Sequence, residues 1–265
     1  MLAFLMHTVD TPAGRIDVSS LPHEALMEIL LDHLDGTESI CGPVDNRADL
    51  RHWRGVVLND GTSEVTDIDW FSMGLTGSLE VQWLPGNLIS LDASNNSLDG
   101  TLAFSALPQS LAELYLNHNQ LSGPLQFDNL PPPMETMYLC NNGFTGRVDL
   151  AHLPQGLRVL SVATNTLSGP IVLTTLPTTL EHLSLRCNRF SGTLDLTALP
   201  QSMQVLHLQR NAFVGSVEVD RLPGSIEDVR VSHNPLTGLV WIDRLFVNRF
   251  YCINTKITVR VRSEE

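Results

Sequence analysis

The sequence predicts a mainly β repeat solenoid, an arc of stacked turns whose inner wall is a parallel sheet. Three observations predict it. The chain repeats itself at an offset of 23 residues, starting at Val65, Leu88, Leu111, Met134, Leu157, Leu180, Met203 and Ile226, in eight copies without insertion or deletion. Each copy opens on apolar residues at alternate positions, the period of a strand with one buried face. Each copy also carries a glycine at one fixed place: Gly77, Gly100, Gly123, Gly146, Gly169, Gly192, Gly215 and Gly238. One short strand cannot bury its apolar face, but identical units stacked on each other bury a continuous core.

Each remaining column of the repeat, L-x-x-L-x-L-x-x-N-x-L-x-G-x-L-x-L-x-x-L-P, has a physical task. The asparagine column runs Asn96, Asn119, Asn142, Asn165, Asn188, Asn211 and Asn234, with Met73 in its place in the first copy. An amide has donors and an acceptor, so at the exit of a strand it can satisfy backbone groups of its own turn and of the neighbouring one. Repeated at one position it predicts a buried hydrogen-bonded ladder. The glycine suits a tight turn with positive φ. The second alternation, as in Leu194-Asp195-Leu196, predicts a second short extended segment. The Leu-Pro closure, from Leu84-Pro85 to Leu222-Pro223 and failing only at Leu245-Phe246, keeps the return path free of a long helix.

These residues resemble the leucine-rich-repeat family. The segments Leu121-Ser122-Gly123-Pro124-Leu125 and Leu167-Ser168-Gly169-Pro170-Ile171 are similar to its plant-specific subclass, and similar repeats occur in unicellular eukaryotes. The resemblance covers residues 65–247 and implies a horseshoe or arc: a concave parallel sheet, short strands and turns on the other side, and a helical N-terminal cap over residues 1–64. Residues upstream fit such a cap. Ser20 precedes Leu26, Ile29, Leu30 and Leu34 at helical spacing before Gly36, which predicts a helix over about 21–35. Trp53-Arg54-Gly55-Val56-Val57-Leu58, a turn at Asn59-Asp60-Gly61, and Val65-Thr66 then predict a hairpin strand. The family's cap cysteine is replaced by Leu58, and its partner near the tryptophan is missing, which implies a cap without a disulfide. Residues 248–265 leave the repeat, and the alternation Ile257-Thr258-Val259-Arg260-Val261-Arg262 predicts a C-terminal capping strand with arginines outward.

Composition narrows the function. Hydrophobic residues make up 43% of the 265 and charged ones 17%, which describes a folded chain rather than a disordered one. A net charge of −13 argues against direct nucleic-acid binding, which needs clustered Lys and Arg. Four scattered cysteines, Cys41, Cys140, Cys187 and Cys252, give no disulfide framework and fit a reducing compartment. No apolar run approaches the roughly 20 residues of a membrane span, and Met1 to Met6 lacks the basic flank of a signal peptide. These features predict a cytoplasmic address, with a secreted or surface site as the alternative.

The variable, outward positions of the concave strands are where function is expected. The third position reads Asp67, Ser90, Glu113, Thr136, Val159, His182, Val205 and Asp228; the fifth reads Asp69, Asp92, Tyr115, Tyr138, Ser161, Ser184, His207 and Arg230. The seventh includes Ser94, Cys140, Ala163, Arg186, Gln209 and Ser232, and the eighth His118, Arg210 and His233. Neighbouring strands lie about 4.8 Å apart, so these columns form stripes: acidic at one end, aromatic in the middle, cationic at the other. Tyr115, Tyr138, His182, Arg186, His207, Arg210 and Arg230 are the expected partner-binding residues, since tyrosine and arginine dominate interface hot spots. An acidic or phosphorylated segment of a protein partner suits the arginine end. His182, His207 and His233 occupy different columns, which opposes a metal site. There is no nucleophile elbow and no phosphate-binding glycine loop. The expectation is a non-enzymatic protein-protein interaction module, a scaffold or adaptor that needs no cofactor and no small-molecule substrate. A surface recognition domain is the alternative, and a component of a ribonucleoprotein assembly a weaker one.

Overall fold

The structure, a computed structural model, describes residues 21–219 and 221–262. Met1 to Met6 and the helix start at Ser20 lie outside the described residues. The chain winds into a mainly β solenoid. Strands Val65–Asp69, Ser90–Asp92, Glu113–Tyr115, Thr136–Tyr138, Val159–Ser161, His182–Ser184, Val205–His207 and Asp228–Arg230 lie side by side in one parallel sheet. Their register follows the repeat, with Asp67 opposite Ser90 and Ser90 opposite Glu113. The inward residue of each strand, from Ile68 and Leu91 through Leu206 and Val229, is at most 1% exposed. Burying a side chain of this size contributes on the order of 2 kcal/mol.

A second row of short parallel strands runs along the opposite side, from Ser122–Pro124 to Ala212–Phe213. Its inward column, Leu75, Leu98, Leu121, Phe144, Leu167, Phe190, Phe213 and Leu236, is fully buried. Phe190 and Phe213 stack there at 6.4 Å between ring centroids. The core is therefore a flat stack of apolar layers, one per turn, between two ribbons of strand.

The asparagines form the ladder. Asn165 donates from Nδ2 to the carbonyls of Leu139 at 3.0 Å and Val162 at 3.1 Å, and its Oδ1 accepts from the Phe144 amide at 3.0 Å. Asn119, Asn142, Asn188, Asn211 and Asn234 repeat this pattern, each reaching one turn back. Ahead of each asparagine, and of Met73 in the first copy, stands a residue in the left-handed region: Ser72, Asn95, His118, Asn141, Thr164, Cys187, Arg210 and His233 have φ between 54° and 58°. This backbone reversal aims the asparagine inward, and for a non-glycine residue it costs about 1–2 kcal/mol. The fixed glycines also have positive φ, from 79° to 106°. A second ladder of hydroxyls precedes the leucine column. Ser110 faces the carbonyls of Gly86 and Leu88, and Thr179, Ser202 and Ser225 face the equivalent pairs one turn back.

At the N-terminal end, helix His23–Leu31 inserts Met27, Leu30 and Leu31 into the core and lies against the 3-10 turn Val81–Trp83. The helix is shorter than the expected 21–35. Leu34 and Asp35 form a strand antiparallel to Thr76 and Gly77 instead. That pairing draws the backbones together so closely that a Cβ on Gly77 would stand 2.5 Å from the His33 carbonyl oxygen. Val56–Leu58 then joins the concave sheet antiparallel to Val65–Asp69, and the His23 ring accepts the Val65 amide at 2.8 Å.

The C-terminal end corrects the expectation that the repeat stops near residue 247. Phe250–Tyr251 continues the concave sheet, with Phe250 opposite Val229 and Tyr251 opposite Arg230, an offset of 21 residues rather than 23. Asn254 takes the left-handed position with φ 56°. Thr255 stands where the asparagine would be, its hydroxyl bound to the Cys252 carbonyl at 2.6 Å. The chain thus makes a shortened ninth turn, ending in Lys256–Val261 parallel to Thr237–Ile242.

Candidate functional site on the concave sheet

Side chains at alternate positions of the concave strands leave the core and stand in columns, because one turn of chain separates each strand from the next in register. Tyr115 and Tyr138 occupy neighbouring turns of one column. Their rings stack at 5.6 Å with an interplanar angle of 13°, and both are half-buried. Partial burial pushes the Tyr115 phenol above its usual value. Glu113, Tyr138 and Asp92 add to this, and a hydrogen bond with Thr136 opposes it. The tyrosine pair thus forms a stacked aromatic step in the middle of the sheet.

On the N-terminal side of that step the acidic residues are partly committed to the backbone. Asp92 Oδ1 accepts from the Ser94 amide at 2.8 Å and its hydroxyl at 2.6 Å, and Asp69 Oδ1 accepts from the Phe71 amide at 3.1 Å. Ser90 donates to Glu113 across the strands at 3.1 Å. Asp69 and Asp92 therefore fix the strand exits as well as charging the surface.

On the C-terminal side the expected binding residues divide into two sets. Arg186 and Arg210 are exposed, and among the described residues neither side chain has a hydrogen bond or ion pair; the same is true of nearby Arg189. His182 lies half-buried one strand before His207. The second set is engaged inside the molecule. Asp228 accepts from His207 Nε2 at 3.1 Å and from Arg230 Nε at 2.9 Å, and the Arg230 guanidinium also lies 5.3 Å from the centre of the Tyr251 ring. Burial alone would raise the Asp228 carboxyl, but the bonds from Arg230 and His207 outweigh it and hold the carboxyl below its usual value. The Asp228 carboxylate therefore offsets the charge of Arg230, while Arg186, Arg189 and Arg210 keep theirs open. Ser94, Ser161, Ala163 and Ser232, which the column reading places on the open face, are buried. Ser94, Ala163 and Ser232 hold the seventh position, where the chain leaves the strand, while Ser161 is a fifth-position residue at the end of its strand.

All four cysteines are free thiols, and burial raises the Cys41 and Cys252 thiols above the usual range. Among the described residues no group of three or more His, Cys, Asp or Glu converges on a point, and no helix is long and apolar enough to cross a membrane. A hollow of about 580 Å³ lies between the N-terminal helix and the returns of the first turns, away from the concave columns.

No protein-family model matches the chain, and no curated protein matches it. Solved structures do. The BIR2 ectodomain from Arabidopsis thaliana superposes with a TM-score of 0.51 at 23% identity, matching 63% of this chain and 92% of that one. The ectodomain of the membrane receptor kinase GASSHO1/SCHENGEN3 from Arabidopsis thaliana, solved in complex with CASPARIAN STRIP INTEGRITY FACTOR 2, gives 0.58 at 22% identity over 89% of this chain but only 36% of its own length. A plant ice-binding protein gives 0.53 at 16% identity over 91% and 95% of the two chains. The stacked parallel turns, the asparagine ladder and these superpositions together identify the architecture as the leucine-rich-repeat fold.

Proposed function

We propose that the chain is a non-catalytic protein-interaction module, a scaffold or adaptor working inside the cell, that holds a protein partner on its concave sheet. The observation that carries this reading is the Tyr115–Tyr138 stack, an aromatic platform set midway between acidic strands and the exposed Arg186 and Arg210. Rigid aromatic surface supplies contact area at little entropic cost, and arginine adds charge-assisted bonds around it. Arg186, Arg189 and Arg210 suit an acidic or phosphorylated segment of the partner, while His182, His207 and Arg230 border it. Four unpaired thiols support an intracellular address. We take residues 21–64 as the cap that a solenoid needs over its first turn.

The test is affinity capture with the intact chain beside a Tyr138→Ala/Arg186→Glu variant, after checking that both melt alike. A partner held by the first and lost by the second supports the concave reading; identical captured sets would discard it. A secreted or surface recognition domain is the second reading, and behind it stands the GASSHO1/SCHENGEN3 ectodomain of like fold and its bound factor. Recovery of a tagged chain from the medium rather than the cell lysate would favour that reading.

A further inference from the structure

Lys256–Val261 runs parallel to Thr237–Ile242 from the pair Thr237 and Lys256 to the pair Ile242 and Val261. Among the described residues, no strand pairs with its other edge. The Lys256 and Arg262 amides donate to the Leu236 and Ile242 carbonyls at 2.8 and 2.9 Å. A parallel ladder uses alternate residues, so Thr258 and Arg260 belong to the same inward set, and Val259 and Val261 turn their N–H and C=O groups to the open edge. Side chains alternate as well. Val259 and Val261 share a face with Val240 and Ile242, which are at most 2% exposed, yet they are themselves 40% and 47% exposed, since no further turn covers them among the described residues. On the other face stand Lys256, Thr258 and Arg260, the last with its guanidinium 5.6 Å from the centre of the Trp241 ring. From 244 to 262 the sequence holds five basic residues and no carboxylate, in a chain whose net charge is −13.

We propose that this edge is a strand-addition site for an extended segment that alternates β-branched apolar residues with acidic ones. Main-chain bonds to Val259 and Val261 supply affinity, and the alternating side chains supply the choice of ligand. The ligand's apolar residues cover Val259 and Val261, and its carboxylates face Lys256 and Arg260. The charge pattern selects against a second copy of this chain, since antiparallel pairing of two such edges sets Lys256 and Arg260 against like charges. The site is separate from the concave columns and does not depend on what they hold.

The experiment titrates the full chain into a fluorescently labelled peptide of roughly eight residues, about the length of a strand, alternating valine with glutamate, and reads anisotropy. Saturable binding that weakens with added salt is expected. Val259→Pro removes an outward N–H without touching a bond to Thr237–Ile242, so it should weaken binding by about tenfold or more while circular dichroism stays unchanged. Should that variant fail to fold, Lys256→Glu/Arg260→Glu decides the matter by losing the glutamate peptide and gaining one with lysine in its place. No saturable binding, equal affinity for the lysine peptide on the intact chain, or binding untouched by a folded Val259→Pro would overturn the proposal. So would concentration-dependent dimerisation that Val259→Pro abolishes, because the occupant would then be a second copy.

Discussion

The Nδ2 of Asn165 donates to the carbonyl of Leu139, one turn back, at 3.0 Å, in a site where Asn165 is only 8% exposed. The same side chain takes the Phe144 amide of that turn and donates to the Val162 carbonyl of its own, so one residue satisfies backbone groups in two turns. Replacing it with leucine would leave those groups buried without partners. Asn165→Leu should therefore cost on the order of 1–3 kcal/mol, read as a lower urea midpoint; an unchanged midpoint would remove the ladder from the account of stability.

Thr164 precedes it with φ 54°, a left-handed conformation that a β-branched residue adopts at a cost. Two other turns place Asn95 and Asn141 at this position, and both reach the neighbouring turn through their amides. Thr164→Asn is expected to stabilise the protein by roughly 0.5–1 kcal/mol, measured by thermal denaturation. A loss of stability would mean that the left-handed column is not strained.

Asp228 carries a pH signature. Its folded carboxyl titrates below the ordinary value of 3.8, because the bonds from Arg230 and His207 overcome the effect of burial. The stabilisation is thus complete above the ordinary value and is lost as pH falls through the lower, folded one. Asp228→Asn should be less stable than the native chain at neutral pH, and the gap should close in acid. A gap that persists at low pH would assign the effect to packing rather than charge.

The Tyr115 phenol shifts the other way, above 10.0, through burial and then the Glu113 carboxylate beside it. A raised folded value means that the contribution is intact below the ordinary value and is lost as pH climbs through the folded one. Glu113→Gln is expected to move the Tyr115 midpoint down in an ultraviolet absorbance titration, with Tyr115→Phe identifying the signal. An unmoved midpoint would strike Glu113 from the causes and leave burial, Tyr138 and Asp92.

The eight full turns were legible because their period never slips and because leucine, asparagine and glycine each answer one fixed geometric need. The ninth turn hid behind a two-residue deletion and behind Thr255 in the asparagine position. The left-handed column gave no sign, since Ser72, His118, Thr164, Cys187 and Arg210 share no chemistry. The hydroxyl ladder was open to reading at Ser110, Thr179, Ser202 and Ser225, but Pro133 and Gly156 interrupt it. In the site, period two was enough to list the columns. It also held the clue to the Arg230–Asp228 pair, since residues two apart on a strand point the same way. What no list of columns could show was which of those side chains bind one another and which the fold leaves open.

The stitching of each turn to the one behind it also sets how the molecule responds to tension. Every amide of the asparagine ladder spans a single boundary, so pulling on the two ends loads those boundaries in series. Held in an optical trap, the protein should lengthen in packets of one turn, each releasing roughly 75 Å of contour at about 3.3 Å per residue, beginning at whichever end is less firmly stitched. The shortened ninth turn lacks that stitch, since the Thr255 hydroxyl bonds only within its own turn, to Cys252; its pairing of Lys256–Val261 with Thr237–Ile242 is what holds it, and a first packet from this end would test whether the amide stitch sets the force.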